Sequence, residues 1–257
     1  MSDRTSIEWT EASWNPATGC SKVSPGCAHC YAETFARRFR GVPDHPYAQG
    51  FELKLWPERL GVPLAWRRPR LIFVNSMSDL FHESIPDRFI HDVFDVMGEA
   101  HWHTFQILTK RHDRLAVLAP KLDWHPNVWM GVTIENRRFI HRADHLRLVP
   151  AAVRFISAEP LLGRLEGLDL AGIQWLIAGG ESGPRHRIVR PEWILDLRDR
   201  CAQEGVRFFF KQWGGRNPKA RGRVLEGRTW DEFPVPSTRS GAAARAPSPS
   251  SRPRRAA

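Results

Sequence analysis

Six short runs along the chain are apolar at nearly every position and rich in β-branched or aromatic residues: 71–76, 104–109, 128–134, 153–157, 174–179 and 206–211. Each is bounded by proline, glycine or polar residues, the pattern of strands buried on both faces. Between them the apolar period changes to that of a helix. Phe89, Ile90, Val93, Phe94 and Met97 form one face, with Ser84 placed to cap it and Pro86 in its first turn. Trp193, Ile194, Leu197 and Cys201 form another. A first strand over 14–18 is interrupted by Pro16. Alternating strands and helices imply right-handed βαβ units and a parallel sheet. No GxGxxG follows the first strand, which weakens an open dinucleotide-binding sheet. The expected fold is therefore α/β, a partial or complete parallel (β/α) barrel, in a single domain over residues 1–235.

Composition changes this picture mainly at one end. From Pro236 onward the chain is Ser, Pro, Ala, Gly and Arg without apolar periodicity, which predicts a disordered tail over 236–257. Residues 216–234, rich in glycine and charge, read as an irregular closing segment. The net charge of +10 suggests nucleic acid, but Arg239, Arg245, Arg252, Arg254 and Arg255 supply half of it from that acid-free tail. Nucleic-acid contact is accordingly expected through the tail, driven by phosphates and sensitive to salt. No run approaches the ~20 apolar residues of a bilayer span, and the N-terminus lacks the apolar core of a secretory signal. The reading is a cytoplasmic protein without a membrane partner.

The carboxyl ends of the predicted strands carry the candidate chemistry. They offer Asn75, Ser76, Ser78 and Asp79; then Thr109, Lys110 and Arg111; then Thr133, Glu135 and Asn136; then Ser157 and Glu159; then Gly179, Gly180, Glu181 and Ser182; and finally Lys211 and Gln212. In a parallel barrel these converge on the rim where barrel enzymes place their sites. Glu159, before Pro160, and Glu181, after two glycines, are candidates to face a substrate. Lys110 and Arg111 read equally as a grip for a phosphate or carboxylate and as a solvated basic pair. Trp213 reads as a packing residue, and His82, His101 and His103 as ordinary loop and helix histidines.

Three of the four cysteines lie within eleven residues, as C-x6-C-x2-C: Cys20, Cys27 and Cys30. In a reducing compartment such clustering points to metal ligation or redox chemistry rather than disulfides. The loop follows the first strand and runs into a helix whose expected face is Tyr31, Phe35 and Phe39. Thiolates suit iron–sulfur clusters and zinc alike. A closed zinc site wants four protein ligands, so zinc would call on His29 or a distant residue. Cys201, on its helical face, reads as core. Three thiolates on a four-iron cube leave one iron open.

A three-cysteine loop after the first strand of a (βα) barrel resembles the radical S-adenosylmethionine superfamily. More closely, the chain is similar to phage- and prophage-associated three-Cys-motif proteins of unknown function. The likeness runs through Ile7-Glu8-Trp9-Thr10, Trp14-Asn15-Pro16, Thr18-Gly19-Cys20 and Cys27-x-x-Cys30-Tyr31-Ala32. It continues in Asn75-Ser76-Met77-Ser78-Asp79-Leu80-Phe81, Leu108-Thr109-Lys110-Arg111 and Gly131-Val132-Thr133-Ile134-Glu135-Asn136. Ser157-Ala158-Glu159-Pro160-Leu161-Leu162, Gly179-Gly180-Glu181-Ser182-Gly183 and Lys211-Gln212-Trp213-Gly214 complete it.

The superfamily resemblance implies a [4Fe-4S] cluster on Cys20, Cys27 and Cys30. S-adenosylmethionine would chelate its open iron and be cleaved to a 5′-deoxyadenosyl radical that abstracts hydrogen from a substrate. By position in the barrel rather than by motif, Asp79 is assigned to the cofactor's ammonium and Glu135 to its ribose hydroxyls. Gly179 and Gly180 are assigned to close backbone approach to adenine. Lys110, Glu159 and Glu181 remain for the substrate, which is read as nucleic acid or a nucleotide. A reductant and a protein encoded nearby are the expected partners. Two other classes stay open: a metal-stabilised nucleic-acid-binding protein without catalysis, and a zinc-dependent hydrolase using the rim carboxylates.

Overall fold

All six apolar runs form strands, in a computed structural model that describes residues 5–217 and 220–235. The basic tail read at 236–257 lies outside the described residues. In chain order the elements are β1 (Ala12–Trp14), β2 (Ala17–Thr18), α1 (Tyr31–Arg37), β3 (Lys54–Leu55), β4 (Leu71–Val74), α2 (Asp87–Glu99) and β5 (Thr104–Thr109). They continue as α3 (His112–Leu118), β6 (Val128–Thr133), α4 (Arg142–Arg147), β7 (Val153–Ala158), β8 (Trp175–Gly179), α5 (Pro191–Glu204) and β9 (Arg207–Gln212).

Seven strands make one sheet in the order β1-β4-β5-β6-β7-β8-β9, and every pairing is parallel. Strand order that never reverses means each crossover steps the same way. Right-handed connections then put all the helices on one side, and the sheet curls around its other side as a partial barrel. The first strand differs from its expected extent. Pro16 ends β1 at Trp14, and the residues beyond it turn out of the sheet as β2, which pairs antiparallel with β3.

The two sides of the sheet bury different residues, as a period of two requires. Ile72, Val74, Phe105, Ile107, Met130, Val132, Ile156, Leu176, Phe208 and Phe210 join the core shared with the helices. Phe89, Ile90, Val93, Phe94 and Met97 of α2 are buried there as expected, and so are Ile194, Leu197 and Cys201 of α5. Proline 86, rather than the Ser84 side chain, stands at the N-cap of α2.

Inside the curl lies a second cluster: Trp9, Phe73, Trp129, Val153, Phe155, Trp175, Ile177 and Phe209. Gly131 belongs to this inner side because a Cβ there would run into the Phe155 ring. Trp9, from the segment before β1, meets Phe73 at 4.7 Å and Trp175 at 6.3 Å between ring centroids. The aromatic plug fills the lower barrel. Along each inward row the residues then turn polar: Phe73 gives way to Asn75, Leu108 to Lys110, Trp129 and Gly131 to Thr133, Phe155 to Ser157, and Phe209 to Lys211.

The helix after the cysteines corrects one expectation. Ala32 and Ala36 face inward on α1, while Tyr31 and Phe35 stand largely exposed. The small alanine face lets α1 sit close to the body. Phe35 and Phe39 instead meet the 45–47 segment outside, where Phe39 stacks on His45 at 3.9 Å and Phe35 meets Tyr47 edge-on at 5.6 Å.

Candidate functional site

Above the plug the inward rows and the cysteine loop enclose a cavity of about 370 Å³, within the usual range for a small-molecule site. Cys20, Cys27 and Cys30 all line it, as do Asp79, Lys110, Glu159, Gly180 and Glu181. The strand-end residues picked out from the sequence thus do meet on one rim. Glu135 and Gly179 are not part of its lining.

The cysteine loop crosses the rim under three clamps. At its start, Arg111 is buried and donates through Nη2 to Ser21 Oγ at 2.8 Å and to the Ser21 carbonyl at 3.2 Å. Its Nη1 lies 3.4 Å from Cys20 Sγ, and its Nε bonds Glu83 at 2.8 Å. In the middle, Ser24 donates to Glu135 Oε1, whose other oxygen accepts from Arg142 Nη1 at 2.9 Å. Gly26 belongs here because a Cβ would lie 2.5 Å from the same Glu135 oxygen. At the end, His29 Nδ1 lies 3.1 Å from Glu181 Oε2, and Arg187 bridges Glu181 to the Pro25 carbonyl at 2.5 and 2.9 Å. Burial by itself raises the Glu181 carboxyl, but the side-chain and backbone hydrogen bonds of Arg187, with that of His29, hold it below the ordinary range.

Two position-based assignments change in this light. Glu135 is fully buried under the loop and spends both oxygens on Ser24 and Arg142, so its carboxylate serves the loop rather than a ribose. Asp79 does line the cavity, yet Oδ1 accepts from Phe81 N and Thr109 Oγ1, and Oδ2 from Lys110 N and Arg111 Nη1. Four protein donors already satisfy it. The glycine pair has a structural cause as well. A Cβ at 179 would meet Glu159 Oε1 at 3.0 Å, and one at 180 would collide with the Trp213 carbonyl. That close approach is to protein.

What faces the cavity with capacity to spare is a different set. Asn75, on the rim, holds φ at +58° and accepts from the Ala17 amide through Oδ1, while its Nδ2 is buried rather than open to the cavity and has no partner among the described residues. Among the described residues, Lys110 Nζ donates to Thr133 Oγ1 at 3.2 Å and to no other side chain. Glu159 accepts from Lys211 Nζ at 3.1 Å and from Ser157 Oγ at 3.2 Å. The strand ends flagged Asn75 and Lys211 without assigning a task to either. Arg142 and Arg187 carried no signal, because an arginine on a helix or loop reads as solvated.

Without a bound cation, thiolates fit this place poorly. Burial raises Cys20 to about 11, Asp79 adds to the rise, and Arg111 offsets only part of it. Burial raises Cys30 as well. Thiolates there call for a cation, and binding one would release protons. The three sulfurs are not gathered within 4.8 Å of one another, as ligands of one ion would be. A four-iron cube sets each thiolate on a different iron, so its donor set fits three spread thiols around one cavity. Cys201, fully buried on α5 and raised by burial to about 12, belongs to the core.

Comparison with known proteins agrees with the extent of this architecture. A family model described as "Protein of unknown function (DUF5131)" matches residues 4–234. No curated protein matches the chain. Among solved structures, the chain is similar to a spore photoproduct lyase mutant with bound AdoMet and dinucleoside spore photoproduct, with a TM-score of 0.42 and 15% identity over 70% of this chain and 57% of that one. It is also similar to spore photoproduct lyase complexed with dinucleoside spore photoproduct, with a TM-score of 0.45 and 14% identity over 78% and 74%. The chain thus spans little more than half the length of the first of these.

Proposed function

The chain belongs to this DUF5131 family of unknown function, and we propose that it is an iron–sulfur enzyme of the radical S-adenosylmethionine type. Cys20, Cys27 and Cys30 would hold a [4Fe-4S] cluster, and the cavity beside them would hold S-adenosylmethionine. The observation that carries this reading is the convergence of three thiols on one cavity at the carboxyl rim of a parallel partial barrel. A cluster bound there supplies one electron for reductive cleavage of the sulfonium.

The chain's own residues divide into two tasks. Arg111, the Glu135–Arg142 pair and the His29–Glu181–Arg187 group fix the loop so that three cysteines point at one volume. Arg111 also sets a positive charge beside Cys20, which lowers the cost of a buried thiolate. Lys110 Nζ offers a donor, and Glu159 an acceptor, to the same space. A zwitterionic amino-acid head needs both kinds. The aromatic plug closes the cavity floor and keeps water from below.

Anaerobic reconstitution tests the assignment. The wild-type protein should take up about four irons and four sulfides per chain. Cys20→Ala, Cys27→Ala and Cys30→Ala should each abolish this, and Cys201→Ala should not. Cluster-loaded protein should bind S-adenosylmethionine in calorimetry, and Lys110→Ala should weaken that binding. Zinc bound in place of iron, and lost on Cys20→Ala, would overturn the reading.

A further inference from the structure

Outside the cysteine cavity, α3 opens with His112 and Asp113, and α4 carries His145 on the neighbouring crossover. His112 Nδ1 and His145 Nδ1 lie 2.7 Å apart. Asp113 Oδ1 is 3.2 Å from the first and 3.6 Å from the second. Among the described residues, this is the group of three candidate ligands whose atoms all fall within 4.8 Å. His141 precedes His145 by one helical turn, and its ring centroid is 4.8 Å from that of His112. The order His141-x3-His145 puts both imidazoles on one helix face.

An ordinary hydrogen bond accounts for only part of this. If one Nδ1–H donates to the other Nδ1, a single proton serves the pair. Asp113 then brings another lone pair to the same point, and one of the two nitrogens has no proton to offer it. Converging lone pairs that outnumber the protons between them are what a metal ion resolves. The spacing agrees as well. Zinc bonds of 2.0–2.2 Å to nitrogen and oxygen place tetrahedral ligands about 3.3 Å apart, and the three separations bracket that value.

We infer that His112, Asp113 and His145 bind a divalent ion of the zinc class between α3 and α4. Imidazoles with a single carboxylate select zinc, cobalt or nickel over magnesium or calcium. The ion pins two helices that hold the cysteine loop. Arg111, which grips Ser21 and Cys20, immediately precedes α3, and Arg142, which holds Glu135, is the first residue of α4. The site stands on its own residues and does not depend on the cluster.

The test removes the thiols first. Full-length protein carrying Cys20→Ala, Cys27→Ala and Cys30→Ala is dialysed against zinc, and the retained metal is measured with the melting temperature. One zinc per chain should remain, the melting temperature should rise with zinc, and cobalt in its place should give visible ligand-field bands. His112→Ala and His145→Ala, added singly, should each weaken zinc binding at least tenfold and remove the cobalt bands. His145 is the more exposed of the two histidines, so His145→Gln with an unchanged circular dichroism spectrum decides the matter if His112→Ala misfolds. Failure of the parent to retain zinc would overturn the site. So would stoichiometric zinc in the folded His145→Gln protein.

Discussion

Removing the Glu135 carboxylate should cost stability and loosen the cysteine loop, and the two effects can be separated. Glu135 is fully buried and Arg142 nearly so. Their 2.9 Å contact is a buried ion pair, and Arg142 Nη1 also donates to the Thr133 carbonyl at 2.7 Å. Burial already weighs against the charged guanidinium, with Glu135 opposing that pull. Glu135→Ala leaves the guanidinium buried without its counter-charge, a loss of about 3–5 kcal/mol. That is a large share of the ~5–15 kcal/mol that holds a typical domain. With a urea slope near the top of the ~1–3 kcal/mol/M range, the unfolding midpoint should fall by about 1–2 M.

Replacing both partners, as Glu135→Leu with Arg142→Met, removes the orphaned charge and should recover most of the stability. It does not restore the acceptor for Ser24. Iron uptake after anaerobic reconstitution should therefore stay low in the double variant even where the urea midpoint has returned. The reasoning fails if Glu135→Ala costs less than about 1 kcal/mol. The loop role fails if the double variant recovers stability and iron together.

Two further outcomes follow from the packing and the charges. Gly131→Ala pushes a methyl into the Phe155 ring and should cost about 1–3 kcal/mol of overpacking; adding Phe155→Leu should return part of that in thermal melting. The Glu83 carboxyl is held at about 2, chiefly by its hydrogen bond from Arg111. The folded pKa is depressed, so this contribution is full above the unfolded value near 4.5 and is lost as pH falls toward 2. Glu83→Gln should lower stability near neutrality by that contribution and flatten the stability–pH curve between about 4.5 and 2, so that variant and wild type converge at low pH.

Much of this molecule was legible in local pattern. Strand and helix depend on neighbours within a few residues, and the 71–76, 104–109 and 128–134 runs carry that information themselves. The same holds for the buried face of α2, for C-x6-C-x2-C, and for the recurrence of polar residues at strand ends, which parallel topology then gathers on one rim. Charge burial is not local. Arg111 meets Cys20 across 91 positions, and Ser24 meets Glu135 across 111. Nothing near either residue distinguishes a guanidinium or carboxylate in water from one under a loop. The chain's tertiary path therefore decided that Glu135 and Asp79 serve protein donors, that α1 turns its alanines inward, and that His112 meets His145. A carboxylate is spent on whichever donors the fold brings within about 3 Å, and those donors come from other strands.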